Sequence, residues 1–280
     1  MKVKIFTMVK NEEDIIDFWI NYHGSLFGYR NLYIVDNYSN DGTYEKIMKY
    51  KKIGVNIFQE KDYREKGPLL TKIIKEEKKK DDYDLAIPID IDEFIVHFDK
   101  TNNILNPCHT KQYIDDWLIK DYESNIIFKC NYVQSTIDTD DGIGYKNALL
   151  ESKYGIYDDY GKMAKSFFNI NKWDGVLDHG NHYFSNEYYL TDLVLVHYHC
   201  RNIDQMKKKI ITNVEGLGYN KDLNELQGIL KDNKDAQGYH HIQHMINILS
   251  DKFYITTNID SRKEFIQLSP LSNYFLKLAV

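Results

Sequence analysis

The chain has 280 residues, 42% hydrophobic and 28% charged, with 36 Lys and Arg against 42 Asp and Glu and a formal net charge of −6. That is apolar material for one large domain, or a domain with a small appendage, and an acidic chain without a Lys/Arg stripe argues against non-specific nucleic-acid binding. Three widely spaced cysteines, Cys108, Cys130 and Cys200, read as reduced thiols, and no apolar run approaches the roughly 18–20 residues of a membrane span, so a cytoplasmic protein is expected.

Val3–Val9 reads as a strand. Asn11–Phe27 follows with helical spacing of Ile15, Ile16, Phe18, Trp19, Tyr22 and Leu26; Asn11 is the expected N-cap, with Glu12, Glu13 and Asp14 in the first turn. Asn31–Asp36 is a second strand, and Asn37–Gly42 a loop in which Asn40, Asp41 and Gly42 turn into a helix over Thr43–Tyr50. Val55–Gln59 is a third strand, Pro68–Lys80 a helix whose KEEKKK run (75–80) is a solvated face, and Leu85–Ile89 a fourth strand. This β-α-β rhythm predicts an α/β fold with a mixed, mostly parallel sheet flanked by helices.

Ligands of such sheets bind beyond the C-terminal ends of the strands, which brings Met8–Glu12, Asp36–Gly42 and Asp90–Asp92 to one edge. Further on, Asn125–Gln134, Met163–Ile170 and Tyr188–His199 read as strands, and Ile203–Glu215, Asp222–Leu230 and Gln237–Leu249 as helices. Residues 1–200 would form the catalytic domain, and 201–280 a helical extension packed on it.

The most informative segment is Pro88-Ile-Asp-Ile-Asp-Glu-Phe-Ile-Val96. Carboxylates at i and i+2 of an extended segment share a face, so Asp90 and Asp92 would repel each other unless a cation sat between them. Mg2+ or Mn2+ suits such oxygen ligands, and these ions keep positions open for phosphate. Asp36, at a strand end, could accept hydrogen bonds from a nucleobase or ribose. Lys165, in an apolar strand, needs an anionic partner such as a phosphate oxygen, or is a rim lysine with its head in water.

Three segments together, Thr7-Met-Val-Lys-Asn-Glu12, Val35-Asp-Asn-Tyr-Ser-Asn-Asp-Gly-Thr43 and Asp90-Ile-Asp-Glu-Phe94, resemble GT-A type nucleotide-sugar glycosyltransferases of the family-2-like and family-92-like group. Tyr22-His23, Lys165 and Val196-His-Tyr-His199 add to the resemblance. It implies a GT-A (Rossmann-like) fold and a nucleoside-diphosphate sugar donor, a UDP-sugar in this group. Thr7, Met8 and Asn11 or Glu12 would line the nucleoside pocket, Asp36 would contact uracil or ribose, and Asp90 the ribose, or the metal through water. Asp92 would bind Mn2+ or Mg2+, with His197 as a late-strand ligand. It also implies transfer to a saccharide or glycoconjugate hydroxyl, with inversion. On a strand, His197 and His199 share a face and Tyr198 points away.

Inverting transfer needs a base. The polar loop Trp173–His182 offers Asp174 and Asp178, with His179 and His182 near, and Trp173 as a sugar-stacking ring. Glu93 is a third carboxylate, although strand alternation would place it opposite the aspartates. His240 and His244 share a helical face but lack the glutamate of a zinc motif, and read as surface or packing residues. A sugar-phosphate nucleotidyltransferase would want a glycine-rich loop after the first strand, and Met8–Glu13 has no glycine. A binding protein of the same fold without turnover is the other alternative.

Overall fold

The computed structural model describes residues 1–136, 143–161, 164–183, 185–232, 236, 238–253 and 264–278. Strand β1 (Val3–Val9) is buried along its whole length. Val3, Ile5 and Val9 face one core, and Phe6 and Met8 the other, as the two-residue period of a strand dictates. The first face packs on α1 (Ile16–Phe27) through Ile16, Trp19 and Ile20. β2 (Leu32–Asp36) follows, then α2 (Thr43–Tyr50) and β3 (Asn56–Gln59). α3 (Lys66–Lys80) covers the second face with Leu70, Ile73 and Ile74, and β4 (Leu85–Pro88) completes the set. β3, β2, β1 and β4 lie side by side and parallel, with Ile5 opposite both Leu32 and Ile87.

The remaining strands are β5 (Glu93–Asp99), β6 (Ile104–Asn106), β7 (Ile127–Ser135), β8 (Tyr154–Asp158), β9 (Lys165–Asn169), β10 (Tyr189–His197) and β11 (Phe265–Gln267). They extend one sheet in the order β3-β2-β1-β4-β9-β7-β10-β5-β6, with β8 on β7 and β11 on β8. Only β5, β8 and β9 oppose the common strand direction. The expected α/β class, a mixed and mostly parallel sheet flanked by helices, is therefore what the chain forms.

Short helices α4 (Thr110–Tyr113) and α5 (Ile119–Tyr122) flank a π-turn, and α6 (Ala148–Glu151) precedes β8. α7 (Ile203–Gly216), α8 (Leu223–Asp232) and α9 (Tyr239–Leu249) share a small core of their own, built on Ile210, Val214, Leu226, Ile242 and Met245. α10 (Ser269–Leu278) returns to the main core, where Phe275 packs edge-on against Phe94 at 4.9 Å. No helix among the described residues is long and apolar enough to cross a membrane.

Several boundaries differ from the sequence reading. Asn11 does not cap α1: its φ is +56°, and its side chain accepts from the Asn40 N–H instead. Glu12 O closes a turn with Ile15 and Ile16, so Glu12, Glu13 and Asp14 precede the helix. β10 stops at His197, two residues earlier than expected. Met163 and Gln237, expected at the starts of a strand and a helix, lie outside the described residues. β5, β6, β8, β11 and α10 were not anticipated.

Candidate metal centre

The three loops expected at one edge do meet there. Asn11 N–H donates to Ser39 Oγ at 3.0 Å and Glu12 N–H to Thr43 Oγ1 at 2.9 Å. Asp41, just before the Gly42 that starts α2, accepts through Oδ1 from Thr43 N–H and Thr43 Oγ1 at 3.1 and 2.6 Å. Above this edge opens a cavity of about 960 Å³, lined by Met8, Asn11, Glu12, Asp90, Asp92 and Glu93 from the sheet side and by Lys208, Lys209, His240 and His241 from α7 and α9.

Asp90–Asp92 is a turn rather than extended strand. Glu93 N–H closes it on Asp90 O at 3.1 Å, and Trp19 Nε1 and Tyr198 N–H tie down the carbonyls of Asp90 and Asp92 at 3.2 and 2.8 Å. The alternation argument therefore fails here, and the two carboxylates have separate partners.

Asp92 is nearly sealed, with 3% of its side chain exposed, and its Oδ2 lies 3.3 Å from His197 Nε2 and 3.9 Å from His199 Nδ1. One ligand atom from each of the three residues falls within 4.8 Å of the others. Burial works against the Asp92 carboxylate, but Lys209 and His197 outweigh it and hold its pKa well below the usual range. Desolvation, reinforced by Lys209 and His197, pushes His199 down, so its ring is neutral even though 40% of it opens on the cavity. An ionised carboxylate beside neutral imidazole is ligand chemistry, and His197 Nδ1 is buried without a hydrogen-bond partner. The residues therefore fit a divalent cation.

Asp90, by contrast, is clamped by lysines: Lys66 Nζ at 2.5 Å on one oxygen and Lys165 Nζ at 2.8 Å on the other. Burial opposes its charge, but Lys165 and Lys66 prevail and keep its pKa far below the usual carboxylate range. Lys165 also reaches Glu93 at 3.1 Å, and Glu93 accepts from Tyr132 Oη at 3.2 Å and Asp90 N–H at 2.8 Å. Lys165 is therefore neither on the rim nor awaiting a phosphate: its anionic partners are protein carboxylates. Glu93 faces the same cavity as Asp90, not the opposite side.

Lys66 holds its place because Gly67 lets α3 touch the backbone: a Cβ there would come within 2.5 Å of Leu177 O. Arg201, fully buried and not itself a lining residue, bonds Glu12 through one terminal nitrogen and Asp14 Oδ2 through Nε at 2.8 Å. Asn202 caps α7 by accepting from Gln205 N–H at 2.8 Å, which aims Gln205, Lys209 and Thr212 at the cavity.

Of the other expected residues, some lie off the cavity and some on its lining. Thr7 is buried inside β1, and Asp36, also buried, accepts from Ser39 N–H at 3.2 Å and Gln59 Nε2 at 3.1 Å; neither lines the cavity. Asp178 accepts from the His182 and Tyr183 N–H groups at 2.9 and 2.7 Å, so it organises its own loop. Asp174 is exposed and off the cavity, while His179 and His182 do line it. Trp173 is buried and stacked on Phe168 at 4.4 Å, a core ring rather than a sugar platform. His240 is exposed, as its surface reading expects, and lies on the cavity's lining, while His244 sets its edge against Phe253. Lys66, Arg201, Lys209 and His241 were missed. For Lys209 the faint signal was its helical spacing from Gln205, Thr212 and Asn213, a polar face beside the apolar face of Ile210 and Val214.

Fold and centre together describe an α/β sheet carrying an acid–histidine pocket where its parallel strands end. No protein-family profile and no curated protein sequence matches the chain. Among solved structures, residues 1–349 of TarS from S. aureus give a TM-score of 0.45 at 12% identity, over 90% of this chain and 71% of that one; the segment has also been solved with UDP-GlcNAc. The mannosyltransferase PcManGT from Pyrobaculum calidifontis, in complex with GDP-Man and Mn2+, gives 0.42 at 10% identity, over 99% and 74% of the chains. Glucosyl-3-phosphoglycerate synthase from Mycobacterium tuberculosis, with Mn2+, UDP and glucosyl-3-phosphoglycerate, gives 0.30 at 18% identity, over 46% and 43%.

Proposed function

We propose that this protein is a metal-dependent glycosyltransferase that moves a sugar, a hexose in the first instance, from a nucleoside-diphosphate sugar to a saccharide or glycoconjugate hydroxyl. The observation that carries the reading is the Asp92–His197–His199 pocket, within 4.8 Å, in a cavity at the C-terminal edge of parallel strands. Asp92, His197 and His199 would hold Mn2+. A bound divalent ion supplies charge stabilisation to a departing diphosphate. Lys66 and Lys165, each paired with Asp90, keep that carboxylate ionised at the cavity. Met8, Asn11 and Glu12, which line the cavity, would border the nucleoside. Uridine and inversion are proposed from the motif resemblance alone.

The test is a thermal-unfolding screen of the intact protein against UDP, UDP-sugars and other nucleotide sugars, with and without Mn2+, followed by assays of hydrolysis and transfer. A ligand that binds the native state raises its apparent stability. A Mn2+-dependent rise with one donor, lost in Asp92→Asn, is the expected result. Mn2+-independent donor binding that survives Asp92→Asn would sink the metal assignment, and binding without turnover would leave a nucleotide-sugar-binding protein.

A further inference from the structure

Lys209 stands where the cation would stand. Its Nζ donates to Asp92 Oδ2, the oxygen that also faces His197 and His199. The same nitrogen lies 3.5 Å from His199 Nδ1 and 3.9 Å from Glu12 Oε1. A divalent ion holds nitrogen and oxygen ligands at roughly 2.0–2.2 Å. An ammonium already bonded to Asp92 Oδ2 therefore overlaps the volume that ion needs, and two cations this close repel strongly where water is scarce.

We propose that Lys209 and a divalent cation are alternative occupants of the Asp92–His197–His199 pocket, so that loading the cation requires Lys209 to withdraw. The proposal rests on the metal reading of the pocket given above. Three features make the exchange feasible. Lys209 carries its charge on a flexible four-carbon stem. Glu12 Oε1, already 3.9 Å away, is a carboxylate oxygen that can receive the displaced ammonium. Its helix, α7, buries Ile210 and Val214 in the small core shared with α8 and α9, so it can shift without opening the sheet core. Without a divalent ion, Lys209 thus supplies the positive charge beside Asp92.

The test uses the full chain and Mn2+ alone, with no nucleotide, reading bound Mn2+ by electron paramagnetic resonance in wild type, Lys209→Met and Asp92→Asn. With the competitor removed, Lys209→Met binds Mn2+ about tenfold more tightly or better, equivalent to about 1.4 kcal/mol, and Asp92→Asn loses binding. Independently of any variant, saturating Mn2+ raises the labelling of Lys209 in wild type by an amine-reactive reagent, quantified by peptide mass spectrometry. Equal or weaker Mn2+ affinity in a folded Lys209→Met, or Lys209 labelling unmoved by saturating Mn2+, overturns the exchange while leaving the pocket a metal site. No Mn2+ binding by either protein overturns both.

Discussion

Arg201→Met is the sharpest probe of how the two halves of the site are joined. The guanidinium is 2% exposed and bonds Glu12, Asp14 and, at 3.2 Å, Tyr198 O. Methionine keeps much of the apolar stem but leaves Glu12, whose side chain is 8% exposed, without its main counter-ion. Removing one member of a buried pair costs about 3–5 kcal/mol. Asp14, half-exposed at 51%, adds little because water screens it. Burial already raises the pKa of Glu12, with Arg201 and Lys209 opposing, so the variant lets it rise further. An acid with a raised folded pKa binds its proton more tightly when native, so its contribution to stability falls as pH climbs above the unfolded value. The loss in Arg201→Met is therefore greatest near pH 8 and shrinks toward about pH 5, where Glu12 can take up a proton. Urea unfolding at both pH values measures it, alongside Glu12→Gln and the double variant, which should recover about 1–3 kcal/mol relative to additivity. A loss below about 1 kcal/mol at both pH values, or strict additivity, would refute the argument.

His23 is fully buried with its pKa pushed down to about 3 by desolvation, and its ring stacks on Phe94 at 5.8 Å. A depressed folded pKa gives stability that is complete above the unfolded value and drains away as pH falls, on the order of 3 kcal/mol between pH 6.5 and 4; His23→Phe should flatten that part of the acid-unfolding curve. Trp173→Ala should cost about 3–5 kcal/mol in urea unfolding, with the Kd for a saccharide acceptor changing only as far as global stability does; a selective loss of acceptor binding would restore the ring as a sugar platform. Gly67→Ala should destabilise the fold by pushing α3 off the Leu177 backbone, and should weaken donor binding further by displacing Lys66, as calorimetry on the folded fraction would show; wild-type values for both would refute the close-approach argument.

The first four strands were legible because each is a short apolar run followed by polar turn residues, and each intervening helix shows its own period. β5 was hidden because Asp90-Ile-Asp92 reads as the end of one strand while being the turn into another, although Pro88 closes β4 just before it. The sequence reading set Asp92 apart as metal ligand and Asp90 as ribose partner; the different lysines around them, Lys66 and Lys165 on Asp90 and Lys209 on Asp92, were not foreseen. A buried lysine looks in sequence like any solvated one. Lys209 is the last of three consecutive lysines, and only the fold shows which of them turns inward. Trp173 misled for a related reason: its loop is polar, while Phe168, which covers it, lies in the preceding strand.

The Arg201–Glu12 pair joins residues 189 positions apart. At a translation rate of about 5–20 residues per second, that separation corresponds to roughly 10–40 s. Throughout that interval the β1–α1 junction holds a carboxylate it cannot bury cheaply, because its cation has not yet been made. The N-terminal strands can pair early, but the junction that lines the cavity can dry out only after β10 has joined the sheet. Closure of the site is thus a late event in the life of the nascent chain, timed by where the arginine sits in the message.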